Sequence, residues 1–233
     1  MTTCAQCSVR EAAICHSLAS DNLDSLNRLG HHRTIERGQT LIWEGDQSRM
    51  VGNIIDGVFK LCASTADGRE QTLGLMFPSD FVGRPFGPTS SHSVVALTDA
   101  RICTFPRPAF DDFAREHYEL EHALLERTLT ELDRARNWML LQTGKSASAR
   151  LAAFLLAMAA RLSAPGDSAP GDEHVRFDLP FGRQDMADLL GLTIETVSRQ
   201  ITRLRDAGVI ATPTRRAIII LDREALEACA EEG

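Results

Sequence analysis

The chain has 233 residues, of which 43% are hydrophobic and 24% are charged, and its formal net charge is −7. This composition is that of an ordinary globular protein with room for two modest domains, and the acidic sum argues weakly against nucleic acid as a partner. No apolar run reaches the roughly eighteen residues of a transmembrane helix, and the amino terminus lacks the charged and apolar regions of a signal peptide, so we expect a cytoplasmic protein with no membrane contact.

Three cysteines lie close together near the amino terminus: Cys4, Cys7 and Cys15. A reducing cytoplasm favours metal binding or redox chemistry for them over disulfides. Two thiols separated by two residues can bind one metal, but closed zinc sites and cubane clusters take four ligands. The candidates for a fourth ligand, among which spacing does not choose, are His16, Cys62, Cys103 and Cys229. The alternative is that each cysteine is a small buried hydrophobic residue.

The next part of the chain is predicted to be a short helix followed by a β-roll. Residues 21–29 have a helical pattern, and from about 31 to 110 short runs of alternating apolar residues take over. Glycines separate these runs at nearly regular spacing, and the Asp67-Gly68 dipeptide is typical of a hairpin turn.

Two long helices are predicted to follow, over about 116–143 and 147–163, and a Pro/Gly-rich segment after the second predicts a loop. The first helix has an apolar stripe in a three-four rhythm, formed by Leu125, Leu129, Leu132 and Met139. A stripe of this kind is usually part of a protein core. Its length and heptad-like spacing also suit a partner helix in a homodimer.

Residues 183–208 carry the clearest local pattern, that of a helix-turn-helix. A short amphipathic helix ends at Gly191, which allows a left-handed turn, and Thr193 is placed to cap a second helix. The inward face of that second helix is predicted to consist of Val197, Ile201 and Leu204. A hairpin with a basic tip at residues 212–216 follows and is predicted to form a wing.

The outward face of the second helix carries Glu195, Ser198 and Arg199 in the turns that enter a major groove. A Glu accepts from cytosine, an Arg donates to guanine, and a Ser can contact several base edges. Between residues 183 and 216, six arginines against four acids give a local charge of +2, the sign that a phosphate-facing surface requires. Because Glu195 and Arg199 are four residues apart, the alternative is a surface ion pair.

A β-roll, a long helix and then LPFGRQDMADLLGLTIETVSRQITRLRDAGVI resemble the CRP/FNR family of bacterial transcription regulators over nearly the whole chain. The resemblance implies an α+β fold with an amino-terminal cyclic-nucleotide-binding-like β-roll (jelly roll), a long dimerisation helix and a carboxy-terminal winged helix-turn-helix. The implied ranges are 1–20 for a cysteine-rich cluster-binding segment, 21–115 for the β-roll, 116–145 for the dimerisation helix and 146–233 for the DNA-binding domain.

The Glu195-x-x-Ser198-Arg199 pattern is similar to that of the FNR branch, whose dimers recognise inverted repeats related to TTGAT and ATCAA in double-stranded DNA. The same resemblance implies that DNA phosphates are held, without sequence specificity, by Arg183, Gln184, Thr193 and Thr196. It also implies contact with RNA polymerase through the loop of residues 65–70, where Arg69 stands at a position that is often acidic in the family.

In FNR-type proteins three amino-terminal cysteines and one cysteine late in the β-roll hold an oxygen-labile [4Fe–4S] cluster. Cys103 stands at the matching place. The resemblance therefore implies the ligand set Cys4, Cys7, Cys15 and Cys103. Cys62 and Cys229 do not match and are expected to be structural. The implied function is oxygen sensing through the cluster to control anaerobic and microaerobic genes; the alternatives are a zinc site, a thiol switch or no effector.

A cyclic nucleotide is the main rival effector, because the β-roll also resembles the module that binds one. Such binding requires a Glu for the ribose and an Arg-Ser/Thr pair for the cyclic phosphate, but Arg84 and His92-Ser93 stand at those places. Without that arginine a buried phosphate would lack its counter-charge, so we expect no cyclic-nucleotide control. The sequence has no catalytic constellation, phosphate-binding glycine loop or dinucleotide motif, so we do not expect an enzyme.

Overall fold

The structure is a computed structural model that describes residues 4–65, 68, 70–142, 146–162 and 174–231. The chain divides into two compact units, Met1–Ala135 and Arg136–Gly233. The first unit is built around β-sheets and the second around helices with a small sheet.

Two predicted loops lie partly outside the described residues. One is the Pro/Gly-rich segment after the second long helix, of which 163–173 are not described. The other is the loop of residues 65–70, predicted to contact RNA polymerase, of which Ala66, Asp67 and Arg69 are not described. In the part of the chain that is described, no helix combines the length and apolarity that crossing a membrane requires.

The first unit contains the β-roll that the sequence predicts. Its strands are β1 (His31–Ile35), β2 (Thr40–Ile42), β3 (Met50–Asp56), β4 (Phe59–Ser64), β5 (Glu70–Met76), β6 (Phe81–Gly83), β7 (Ser93–Ala96) and β8 (Ala100–Pro106). They form two antiparallel sheets, ordered β1-β8-β3-β6 and β2-β7-β4-β5. Ile35, Ile54 and Phe59 belong to an apolar core drawn from both sheets and have no exposed surface. Gly68, between β4 and β5, has a φ of 80°, as a tight hairpin turn requires.

The helices of the first unit are α1 (Ser20–Leu29), α2 (Arg107–Glu116) and most of α3 (Tyr118–Gln142), whose residues from Arg136 onward fall in the second unit. α2 was not predicted as a separate helix; at His117 the backbone leaves helical geometry, with φ −130° and ψ 88°, and α3 starts at Tyr118. A second core beside the β-roll joins all three helices with the segment before α1 and with β3 and β8. It includes Ile14, Leu26, Phe110 and Leu120. This core places the amino-terminal cysteines against the sheet.

The second unit consists of α4 (Ala147–Leu162), β9 (Val175–Asp178), α5 (Arg183–Leu190), α6 (Ile194–Asp206), β10 (Ile210–Ala211), β11 (Ala217–Ile220) and α7 (Arg223–Glu231). β10 and β11 form the antiparallel hairpin predicted as the wing, and β9, which the sequence did not predict, pairs with the other side of β11. The Asp222 carboxylate accepts from the Ala225 N–H at 2.8 Å and so caps the start of α7.

Candidate nucleic-acid interface and cysteine site

The turn between α5 and α6 has the geometry that the sequence predicts. Gly191 ends α5 in the left-handed conformation, with φ 60° and ψ 38°, which a residue with a side chain adopts at a cost. Thr193 has an extended backbone, and its hydroxyl oxygen accepts from the Thr196 N–H at 3.2 Å. The cap and the glycine together fix where α6 begins and therefore which of its residues face outward.

The two faces of α6 differ as expected. Its inward residues are buried in the second unit: Val197, Ile201 and Leu204. Glu195 and Arg199 are exposed and Ser198 is half-buried on the opposite side. Glu195 and Arg199, both within the described ranges, form no ion pair with each other, so the structure does not support the alternative of a surface salt bridge.

The Glu195 carboxylate is held in its acceptor form. Hydrogen bonds from its own backbone N–H and from the Thr193 hydroxyl lower the pKa of the Glu195 carboxyl below its ordinary value. An ionised carboxylate accepts hydrogen bonds and does not donate them, which is the requirement for contact with a cytosine amino group.

The residues expected to hold phosphates lie at the amino-terminal ends of α5 and α6. Arg183 is the first residue of α5 and is half-buried; Gln184 is exposed and donates to the Asp188 carboxylate at 2.9 Å. The Thr193 and Thr196 hydroxyl oxygens lie 3.1 Å apart. Free backbone N–H groups and the helix dipole favour an anion at such ends. The structure thus presents two helix starts suited to phosphate oxygens.

The four cysteines that the family resemblance implies as ligands line one small cavity in the first unit. Cys4 lies in a short 3-10 turn, Cys4–Gln6, and Cys15 in another, Ile14–Ser17. Cys103 lies on β8, where it pairs with Asn53 of β3. Cys62 lies instead on β4 of the other sheet, and Cys229 lies on α7 within hydrogen-bond distance of Ser148. The structure therefore brings together thiols from opposite ends of the β-roll sequence and leaves the other two cysteines apart.

Three of the thiols in the cavity, those of Cys4, Cys15 and Cys103, stay protonated when no cation is present. Burial, with a smaller contribution from the neighbouring thiols, raises the pKa of Cys15 and of Cys103 to about 12 from the ordinary 9.0. The same causes raise the pKa of Cys4. Several buried thiolates side by side are unfavourable unless a cationic metal centre compensates their charge. The donor set therefore suits a metal centre better than it suits free thiolates.

The number of thiols bears on the kind of centre that these residues could hold. Within the described ranges, no three His, Cys, Asp or Glu side chains are close enough to bind a single metal ion. In a four-iron cluster each thiolate binds its own iron, so the sulfur ligands are spaced more widely than those around one ion. Four cysteines around one cavity are the number that such a cluster takes, and in this respect the residues present fit it.

Three further polar side chains line the cysteine cavity: Arg10, His32 and Asn53. The Asn53 side-chain amide donates to the Cys15 sulfur at 3.4 Å. Sequence reasoning did not select these residues, because a single polar side chain in a strand or loop gives no indication of the cavity that it lines. The predicted pairing of the strands would have been needed to place Asn53 beside Cys103.

The first unit also contains a cleft of about 530 Å³, lined in part by the residues that stand where the resemblance places nucleotide-binding side chains. Arg84, Phe86 and His92 line it. Burial and the Arg84 guanidinium hold the pKa of His92 below its ordinary value, so the imidazole is neutral at neutral pH. A neutral imidazole stands where the resemblance places the phosphate-binding arginine, and Arg84 supplies a positive charge to the same cleft. The absence of cyclic-nucleotide control stays a prediction.

The apolar stripe of α3 is exposed. Leu125, Leu129 and Leu132 are 55%, 53% and 44% exposed, and Met139 is 58% exposed. The prediction that the stripe belongs to the chain's own core is therefore wrong. The pattern was ambiguous because a helix that packs on its own domain and one that packs on a second chain have the same apolar periodicity.

Comparison with known proteins agrees with this architecture. Residues 32–117 match the cyclic nucleotide-binding domain family, and residues 149–229 match the Crp-like helix-turn-helix domain family. The structure of FixK2 from Bradyrhizobium japonicum superposes with a TM-score of 0.78 at 27% sequence identity, covering 88% of this chain and 98% of that one. The predicted fold class is confirmed.

Two relatives span almost the full chain. The chain is 42% identical over 219 residues to the transcriptional activator protein FnrL of Cereibacter sphaeroides. The alignment covers 94% of this chain and 88% of the relative. The chain is 36% identical over 230 residues to the nitrogen fixation regulation protein FixK of Bradyrhizobium diazoefficiens, which covers 97% of this chain and 93% of the relative. The chain belongs to the CRP/FNR family of transcription regulators, and its second unit carries the DNA-binding helix-turn-helix of that family.

Proposed function

We propose that this protein is a homodimeric transcription activator that binds double-stranded DNA when a [4Fe–4S] cluster occupies the cysteine site, and so responds to oxygen. The observation that carries the proposal is the convergence of four cysteines on one cavity. FnrL, a relative at 42% identity, is named a transcriptional activator, which supports activation as the output.

The ligands of the cluster would be Cys4, Cys7, Cys15 and Cys103. A cluster bound there would supply a group that oxygen destroys, which makes ligation itself the signal. Three of the ligands lie in the segment before α1 and the fourth lies on β8, so full ligation ties that segment to the β-roll. Loss of ligation removes this tie and leaves the segment held by packing and by weaker bonds, such as those from the Cys4 thiol to the Asn27 side chain and from the Asn53 side chain to the Cys15 sulfur.

The segment that carries the cysteines also shares a buried core with the start of α3. Ile14 and Leu18, on either side of Cys15, belong to the same buried core as Leu120 and Leu124 of α3. Close-packed cores transmit small displacements, since their side chains have few alternative arrangements. A shift of the segment therefore displaces the side chains on the buried face of α3. The opposite face of that helix carries the exposed stripe.

We expect that stripe to be the dimer interface. Exposed Leu and Met at heptad-like spacing would be covered by the same helix of a second chain across a two-fold axis. Dimerisation places two recognition helices about one DNA turn apart, so that they meet the halves of an inverted repeat. The proposed target is a TTGAT/ATCAA-type repeat.

On the DNA, the two sets of residues have different roles. Glu195, Ser198 and Arg199 are proposed to contact base edges, because they face outward in the first turns of α6. The helix-start residues are proposed to hold phosphates: Arg183, Gln184, Thr193 and Thr196. Contact with RNA polymerase through the loop of residues 65–70 completes the proposed activator.

Metal analysis of anaerobically purified protein tests the cluster. Iron, acid-labile sulfide and zinc are measured in the natural chain and in single Cys→Ser variants at the four ligand positions, with Cys62→Ser and Cys229→Ser as matched controls. We expect about four iron and four sulfide per chain in the natural protein and in the controls, and loss of both in each ligand variant. Zinc without sulfide, or no metal at all, would instead identify a zinc, thiol or effector-free regulator.

A further inference from the structure

Two polar side chains in the wall of the cysteine cavity each have one buried atom that lacks a partner among the described residues, an acceptor in one case and a donor in the other. Asn53 on β3 is 2% exposed, and within the described part of the chain its Oδ1 has no hydrogen-bond partner, while its Nδ2 donates to the Cys15 sulfur at 3.4 Å. The Nε of Arg10 is also buried, and it too has no partner among the residues described. Both side chains line the same cavity as the four thiols.

Unpaired polar atoms of this kind call for an explanation. The great majority of buried polar groups in folded proteins have a hydrogen-bond partner, because an unmade bond costs free energy in a medium of low polarity. Two such groups around one cavity indicate that it is built to surround something polar. The unpaired Arg10 Nε is a donor and points to an acceptor, and the sulfur atoms of a thiolate-ligated centre are acceptors. The donor of Asn53, its Nδ2, already bonds to one of these sulfurs, that of Cys15.

We propose that Arg10 and Asn53 are positioning residues that donate N–H groups to the sulfur atoms of the cluster and so set its lifetime in air. This inference rests on the proposed function. Four thiolates give the cluster a net negative charge, which a guanidinium and an amide N–H both stabilise. Hydrogen bonds to sulfur also withdraw charge, and they stabilise the more negative reduced form most, which raises the reduction potential.

The two asparagines near the thiols act in opposite senses. The Asn27 side-chain oxygen accepts from the Cys4 thiol at 3.1 Å, a bond that requires a protonated sulfur. The Asn53 side-chain N–H donates to the Cys15 sulfur, a bond that strengthens when that sulfur becomes a thiolate. Asn53 therefore favours the ligated form, and its replacement is expected to shorten the time for which that form survives.

Three variants test the proposal. Asn53→Leu removes the amide at similar volume, Asn53→Asp keeps the shape but offers only acceptors, and Arg10→Gln removes the charge. The matched controls are Thr104→Val, a buried β8 residue whose hydroxyl donates to the His31 carbonyl, and Glu11→Gln, the exposed neighbour of Arg10.

Each protein is purified without oxygen, and three quantities are measured: iron and sulfide per chain, the reduction potential of the cluster, and the half-life of its visible absorbance in aerated buffer. We expect Asn53→Leu, Asn53→Asp and Arg10→Gln to shorten the half-life by about tenfold or more and to lower the potential, with Asn53→Asp lowest. Both controls should match the natural chain.

The outcomes separate the two proposals. A natural chain without iron and sulfide overturns the proposed function and the inference with it. A natural chain that carries the cluster, with the same half-life and potential in all three variants, overturns the inference alone. Unfolding of the metal-free variants by urea provides the structural check: a folded variant that cannot retain iron supports the inference, and a misfolded Asn53 variant leaves Arg10→Gln to decide it.

Discussion

Arg127 of α3 donates to the carboxylate of Asp80, with 2.8 Å between Nη2 and Oδ1, and Asp80 is only 1% exposed. Arg134, two turns further along the helix, donates to the same oxygen at 3.0 Å. The backbone of this turn is bonded to β3: the Ile54 N–H donates to the Asp80 carbonyl at 3.0 Å, and the Ser79 N–H donates to the Ile54 carbonyl at 2.8 Å. One buried carboxylate thus joins α3 to β3 at Ile54. The residue before Ile54 on the same strand, Asn53, lines the cysteine cavity.

We expect Asp80→Asn to destabilise the metal-free protein by roughly 2–4 kcal/mol, because a buried ionic group loses its charge while its arginine partners remain. The measurement is the free energy of unfolding in urea. Asp112→Asn is the matched control: Asp112 pairs with Arg115, but both side chains are more than half exposed, so little is lost there. Equal losses in the two variants would show that the Asp80 network contributes no more than a surface pair.

Leu129→Glu is expected to abolish the anaerobic dimer. A carboxylate in the middle of a leucine interface loses its water without gaining a partner, which costs several kcal/mol and weakens dimerisation by at least about a hundredfold. Sedimentation of the iron-loaded protein measures the effect. Thr130→Glu places the same charge on an exposed neighbouring position of the helix and should leave the dimer intact. A Leu129→Glu protein that remains dimeric would place the interface elsewhere.

Arg199→Ala and Arg183→Ala are expected to weaken DNA binding in different ways. Loss of Arg199 should cost about 1–3 kcal/mol and relax the preference for guanine at one position of the half-site. Loss of Arg183 should weaken binding to all sequences alike. It should also reduce, by about one, the slope of the logarithm of the binding constant against the logarithm of the salt concentration. Titrations of the natural repeat and of single-base variants at several salt concentrations distinguish the two. If Arg199→Ala weakened all sequences equally, Arg199 would be a phosphate contact.

The cluster-free protein should lose stability in alkali. In the folded state the thiol of Cys15 keeps its proton to a pKa of about 12, whereas the unfolded chain loses it near the ordinary 9.0. The unfolded state therefore binds fewer protons between these values, and the free energy of unfolding falls as the pH rises through that window. Cys15→Ala should make the free energy of unfolding fall less steeply with pH in this window, by about 1.4 kcal/mol per pH unit. If the free energies of unfolding of the two proteins fell equally with pH from pH 9 upward, the thiol of Cys15 would not be buried and protonated in the folded state.

The sequence predicts the DNA-binding unit better than it predicts the cysteine site of the first unit. Gly191 and Thr193 mark the turn and cap through local chemistry, so the position of α6 and its outward residues follows from a few neighbours in the chain. β9 was missed because its pairing with β11 joins residues about forty apart and leaves no local trace.

The cysteine site depends on contacts that a sequence pattern does not contain. Cys103 was selected by family resemblance, and only the register of β3 against β8 shows that Asn53 lies beside it. The exposed stripe of α3 was ambiguous for a related reason: its periodicity reveals an apolar face but not the molecule that covers it. The identity of a neighbour across a core or an interface is tertiary information.

Binding of the anaerobically purified protein to a TTGAT/ATCAA palindrome, before and after exposure of the same sample to air, tests the central claim most directly. We predict tight, specific binding without oxygen and a loss of at least about tenfold in affinity after air, in parallel with the loss of iron and sulfide. A Cys103→Ser protein should bind weakly in both conditions. Equal affinity before and after air, with the iron gone, would show that the cysteine site does not control DNA binding.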